Sequence, residues 1–237
     1  MPEFLVVLLE DEAAHASLPP REMAALIDGR GRFLEALRRA GRLRDAALLR
    51  ASREGKRVRR GDGALRVEDG PFVEAGLEVG GTLWIDAPGL EEAARLAGPC
   101  PALATDALEV RPLMKCGIEA VKESRPGKLF AFLVLGRAAS EEAWVGIMDR
   151  IDAETKGRFP ADAFLGGGRL HPPGAGRRLE PRGERRATLD GPFLEAREVV
   201  GGLFFMRLAS LEDAVRWAGA SPFVDHGALE IRELWRT

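Results

Sequence analysis

The chain has 237 residues, 46% of them apolar and 30% charged, enough to bury the cores of two ordinary domains. Its formal net charge of -2 excludes the electrostatic footprint of a general nucleic-acid binder. The two cysteines, Cys100 and Cys116, lie outside any Cys-x-x-Cys or Cys/His cluster, which argues against a disulfide scaffold and a zinc site. Neither a metal nor another cofactor is expected.

The first predicted element is a strand in the apolar run Phe4–Leu9, bounded by Glu10, Asp11 and Glu12. With acidic flanks and this length it fits neither a signal peptide nor a membrane span, so a cytoplasmic location is expected. His15 is expected as a plain surface residue in an acidic loop. Ser17, Pro19 and Pro20 signal a helix start, and Met23, Leu26, Ile27, Phe33, Leu34 and Leu37 recur at helical spacing up to Gly41. The Arg-, Lys- and Gly-rich stretch 50–63 reads as a long surface hairpin, with Lys56, Arg57, Arg59 and Arg60 at a solvated tip. A short strand over Leu65–Val67 runs into Asp69-Gly-Pro-Phe72. Next come a strand over Val79–Ile85, opened by Gly80 and Gly81, a helix over Leu90–Ala97 closed by Gly98, and a strand over Leu108–Arg111.

The same order then repeats. Asp-Gly-Pro-Phe recurs at Asp190–Phe193, a shift of 121, and roughly half the positions from Asp69 to Leu113 are identical to their shifted counterparts. The second copy has its strand at Leu129–Leu135, a helix carrying Trp144, Ile147, Met148 and Ile151, and a basic cluster of Arg177, Arg178, Arg182, Arg185 and Arg186. It continues with a strand at Val199–Leu208, a helix at Leu211–Ala218 with Ser210 and Asp213 as a capping pair, and a last strand at Leu229–Arg232. Units this long are domains, not solenoid repeats. The expected boundaries are 1–113 and 129–237, joined by a linker at 114–128. Strand, helix, strand or hairpin, strand, helix, strand is the order of a ferredoxin-like α+β domain.

Several features together carry a family resemblance: the two Asp-Gly-Pro-Phe copies, the Glu that follows each (Glu74, Glu195), the glycine pairs, the Leu-Glu-x-Ala helices, the final Glu-Val-Arg-Pro-Leu113, and Gly168-Arg-Leu-His-Pro172. In these the chain resembles the YCII-related family, also called the DGPF domain, once per half. The resemblance implies two ferredoxin-like repeats forming an intramolecular dimeric α/β barrel-like pair, a pseudo-dimer within one chain, with a further homodimer left open. It also implies a catalytic dyad of a first-helix His and an Asp before a Pro-aromatic pair. The aligned positions here are Glu22 and Trp144 for the His, and Ser221 before Pro222-Phe223 and Cys100 before Pro101 for the Asp, so the dyad is not carried over.

Among the residues themselves, Asp69 and Asp190 could present carboxylates to a ligand or serve as turn residues, and the turn role is favoured. Glu74 and Glu195 could pair with Arg111 and Arg232 across the sheet. Gly201 and Gly202, like Gly80 and Gly81, mark either a bulge or a close approach of ligand. His171 and Asp190 together would make an acid/base pair. Two functions follow. One is a non-catalytic small-molecule-binding or regulatory module; the resemblance implies an association with transcriptional regulation through the family's neighbourhood with sigma factors. The other is a lyase- or isomerase-like enzyme acting on a small organic acid or ring compound. A small-molecule ligand is the expected partner in both, with no direct nucleic-acid binding and no membrane.

Overall fold

The structure, a computed structural model, describes residues 1–72, 76–118, 126–136, 141–155, 157, 159, 162–182, 185–190 and 199–235. The chain separates into two compact units that interleave along the sequence: unit 1 is Met1–Leu48, Val73–Leu113 and Pro173–Phe193, and unit 2 is Leu49–Phe72, Met114–Pro172 and Leu194–Thr237. These are not the two sequence repeats, because each unit contains a hairpin that belongs to the other repeat.

Unit 1 is built around β1 (Glu3–Glu10), which pairs antiparallel with β5 (Glu78–Asp86) on one side and with β6 (Ala107–Ile118) on the other. β2 (Leu43–Leu48) flanks β5. This order, β2-β5-β1-β6, is the ferredoxin-like arrangement expected for one repeat. The edge of β6 is extended by β9 (Arg177–Arg182) and β10 (Arg185–Asp190), a hairpin from the second repeat. Helices α1 (Glu12–Ser17), α2 (Pro20–Arg39) and α3 (Leu90–Ala97) complete the unit. Its core joins Phe4, Val6 and Leu8, alternate residues of β1, to Leu37 of α2, Ala93 and Ala97 of α3, and Leu179 of the incoming hairpin. β6 runs on to Ile118, into the segment 114–128 expected as a linker.

Unit 2 repeats the plan. β7 (Lys128–Gly136) lies between β11 (Val199–Leu208) and β12 (Ala228–Glu233), with β8 (Phe164–Leu170) outside β11. β3 (Lys56–Gly61) and β4 (Ala64–Asp69), from the first repeat, extend β12. The two strands are joined by Asp62 and Gly63, both at positive φ (50° and 76°), the geometry of a two-residue type I′ hairpin turn. Helices α4 (Glu141–Thr155), α5 (Leu211–Ala220) and α6 (Phe223–His226) complete this unit. Ser210 caps α5 by accepting the Asp213 N–H at 3.1 Å. Gly219, which follows the helix predicted over Leu211–Ala218 as Gly98 follows the one over Leu90–Ala97, lies within α5 rather than closing it. A Cβ there would come within 2.6 Å of Leu65, so the glycine leaves room for β4 to pack on α5.

The exchanged hairpins explain a correction. Arg57, expected at a solvated tip, is buried: its Nη2 lies 2.9 Å from Glu230 of β12, and Arg232 meets the other carboxylate oxygen at 2.9 Å. In unit 1, Glu109 and Arg111 repeat the second contact at 2.9 Å, and Arg178 stands in register with Glu109 as Arg57 does with Glu230. Among the described residues no helix is long and apolar enough to cross a membrane.

Candidate functional site

Where β1 ends, Asp11 turns the chain into α1 by accepting the N–H groups of Ala13 and Ala14 at 3.1 and 3.0 Å. That turn carries His15 toward the loop before β6. There the Nε2 of His15 lies 2.9 Å from Asp106 Oδ2 and 3.1 Å from Oδ1. His15, expected as a plain surface residue, is thus half of a His–Asp pair. Its side chain is 12% exposed, and that of Asp106 only 1%.

The Asp106 carboxylate is fully occupied. It also accepts the backbone N–H of Leu103 at 2.7 Å and of Asp11 at 3.1 Å. Burial would raise its pKa, but these donors, His15 foremost, outweigh burial and hold it below the usual carboxylate value. His15 is shifted the other way. The hydrogen bond to Asp106 raises its pKa against the opposing effect of burial, and the charge of Glu10 adds to the rise. With Nε2–H donated to Asp106, Nδ1 carries the lone pair, the arrangement of an imidazole held in one tautomer for proton transfer.

Arg30 of α2 closes the cluster. Its Nη1 lies 2.6 Å from Glu10 Oε1, its Nε donates to the Pro101 carbonyl at 3.0 Å, and its Nη2 lies 3.9 Å from Asp106. Glu10 can occupy this position because the bulge in β5 places Gly80 beneath it; a Cβ on Gly80 would overlap the Glu10 carboxylate. Among the described residues the second repeat has no counterpart of the Asp106 carboxylate. Ala107 and Ala228 stand in the same register against Leu9 and Leu135, so Gly227 takes the place of Asp106, and a Cβ there would overlap the Leu135 carbonyl.

The residues singled out from the sequence are distributed otherwise. Asp69, at the end of β4, is exposed and paired with Lys56. Asp190, at the end of β10, is exposed and lies 2.8 Å from Arg177 Nε. His171 follows β8 and is half-buried; it falls in unit 2, whereas Asp190 falls in unit 1. Gly201 sits at a bulge in β11 beneath Trp144 and Met148, and a Cβ on Gly202 would come within 2.7 Å of the Gly168 carbonyl. Glu74, Glu195 and the second Gly-Pro-Phe lie outside the described residues. Among the described residues no group of three His, Cys, Asp or Glu side chains is placed to hold a metal ion.

Sequence reasoning missed His15 because it treated the region before Pro19 as loop. The signal was present: an N-cap Asp followed by Glu-Ala-Ala-His is a capped helical turn in its own right. Asp106 had no local signal at all.

A family model described as the YCII-related domain matches residues 4–116 and again 133–237. A search of curated proteins finds no match. Similar solved structures include an anthrone oxidase-like protein, 10% identical, with a TM-score of 0.46 and alignment over 99% of this chain and 92% of that one. Another is a heme-binding protein from Thermus thermophilus, 10% identical, with a TM-score of 0.36, over 99% and 91%.

Proposed function

The chain belongs to the YCII-related domain family in both of its halves, and from that premise we propose that it acts on a small molecule, with His15 as the proton-transfer group. The observation that carries this reading is the Asp106 carboxylate, 1% exposed and yet committed to one ring nitrogen of His15. A carboxylate buried at that cost, with two backbone N–H groups fixing it, orients the imidazole and stabilises its protonated form. The reaction class is proton abstraction and return next to a carbonyl, as in a lyase or isomerase working on a small organic acid or ring compound. Nδ1 of His15 takes the proton from carbon and returns it to the rearranged product. Asp106 keeps its negative charge throughout, and Arg30 and Glu10 balance the cluster.

The test is solvent deuterium exchange into a panel of 2-oxo acids and unsaturated lactones, followed by proton NMR. The wild-type protein should exchange at least one of them, and His15→Asn should slow that exchange by about 10²-fold or more. Exchange that survives in His15→Asn overturns the reading. Saturable binding without any exchange would favour the non-catalytic small-molecule-binding or regulatory module instead. The same assay applied to His171→Asn and Asp190→Asn tests the second acid/base pair suggested by the sequence.

A further inference from the structure

Unit 2 contains a cleft of about 460 Å³ between the end of β7 and helices α4 and α6, with β3 at its mouth. A volume of this size is far beyond the water-sized voids that a packed core tolerates, and it falls in the range of small-molecule sites. Strand register explains the space. Leu9 stands opposite Ala107 as Leu135 does opposite Ala228, so Gly136 takes the place of Glu10 and Gly227 that of Asp106. Both glycines line the cleft. Where the first repeat places two carboxylate side chains, the second places none, and a hollow remains.

The wall has changed with it. Gly80 of the first repeat lies beneath the Glu10 carboxylate, whereas a Cβ on its counterpart Gly201 would meet the Met148 methyl at 3.2 Å and the Trp144 ring at 3.3 Å. Trp144, Met148 and Ile151, one face of α4, join Phe223 of α6 in an apolar lining. The indole is anchored by its N–H, which donates to the Leu170 carbonyl at 2.9 Å. At the mouth the charges are matched: Arg60 lies 2.6 Å from Asp225, and His226 lies 3.1 Å from Glu154. Arg59 is turned away, because its neighbour Val58 packs in the core with Trp144 and successive residues of a strand face opposite sides. A charged ligand would lose its water here without gaining a counter-charge, whereas an uncharged ring gains from burial.

We propose that this cleft binds a small uncharged aromatic molecule, its ring packed against Trp144, Met148 and Phe223, side chains suited to ring and sulfur–ring contacts. The two repeats thus divide the work, with a charged proton-transfer pair in the first and an apolar receptor at the corresponding place in the second. The receptor does not depend on the reaction assigned to the His15–Asp106 pair. Gly136 offers a way to block it, because it lines the cleft and a Cβ there meets nothing within 4 Å.

The experiment is isothermal titration of the full chain with the uncharged 1-naphthylmethanol and with 1-naphthoate. One equivalent of the alcohol should bind, about tenfold more tightly than the acid, and Gly136→Leu should weaken it by about tenfold or more. Ile147→Trp, a second variant that fills the cleft, decides the matter should Gly136→Leu fail to fold. In the wild-type protein the Met148 methyl resonance should shift as the alcohol saturates, through the ring current of the naphthalene, which locates the ligand without any substitution. No saturable binding of the alcohol, unchanged binding in a folded filled variant, or a Met148 methyl that stays in place overturns the site. Equal or tighter binding of the acid overturns the assignment to an uncharged ligand.

Discussion

Arg57 and Glu230 meet at 2.9 Å with side chains only 8% and 3% exposed, although one lies on a hairpin of the first repeat and the other on the last strand of the second. Glu230 is held on its other side by Arg232, which also donates to the Arg50 carbonyl through Nε at 2.7 Å. Two buried guanidinium groups thus share one carboxylate, at the seam where the exchanged hairpin joins unit 2.

Glu230→Gln would take from both cations the carboxylate that they share in a desolvated site. Breaking a buried pair in this way costs about 3–5 kcal/mol. Urea unfolding of the full chain should show that loss, whereas Glu54→Gln, which removes a pair with Arg50 between half-exposed side chains, should cost less than about 1 kcal/mol. Equal losses in the two variants would mean that the seam is solvated and that the hairpin is not anchored through Glu230.

The His15–Asp106 pair predicts a window of pH. Asp106 has a lowered pKa in the folded protein, so its contribution is present above its ordinary value and lost as pH falls through the folded value. His15 has a raised pKa, so its contribution is complete below its ordinary value and lost as pH rises through the folded one. The stability difference between the wild-type protein and Asp106→Asn should therefore be largest from about pH 4 to 6.5 and shrink on both sides. An NMR titration of the His15 ring should show its pKa fall in Asp106→Asn. A ring that titrates identically in both proteins would contradict the pairing.

Two glycine substitutions should behave differently. In Gly80→Ala the added methyl meets the far end of the Glu10 side chain, which can yield only by leaving Arg30, so folding should lose about 1 kcal/mol. That departure takes a negative charge from His15, so its pKa should drop. In Gly227→Ala the methyl meets the backbone carbonyl of Leu135, which β-sheet pairing holds in place. That variant should lose about 2 kcal/mol or more, a loss readable from its thermal midpoint.

Much of the architecture was legible because it is encoded locally. The doubled Asp-Gly-Pro-Phe, the helix starts and the apolar strand runs are each written within a few residues, and together they read as two ferredoxin-like repeats. The glycine pairs were legible as bulges for the same reason.

What tertiary structure decided is which pieces meet. A hairpin is legible in this stretch, expected over 50–63 and found over 56–69, but its strands offer the same edge hydrogen bonds to either copy's last strand, and those two strands, Leu108–Arg111 and Leu229–Arg232, carry nearly the same residues. Only the folded chain assigns it to β12 and sends its counterpart to β6. The same holds for His15 and Asp106, which lie 91 residues apart and are joined by hydrogen bonds that no local pattern specifies. A sequence determines backbone preferences residue by residue, whereas a buried charge pair exists only once distant segments have excluded water from the space between them.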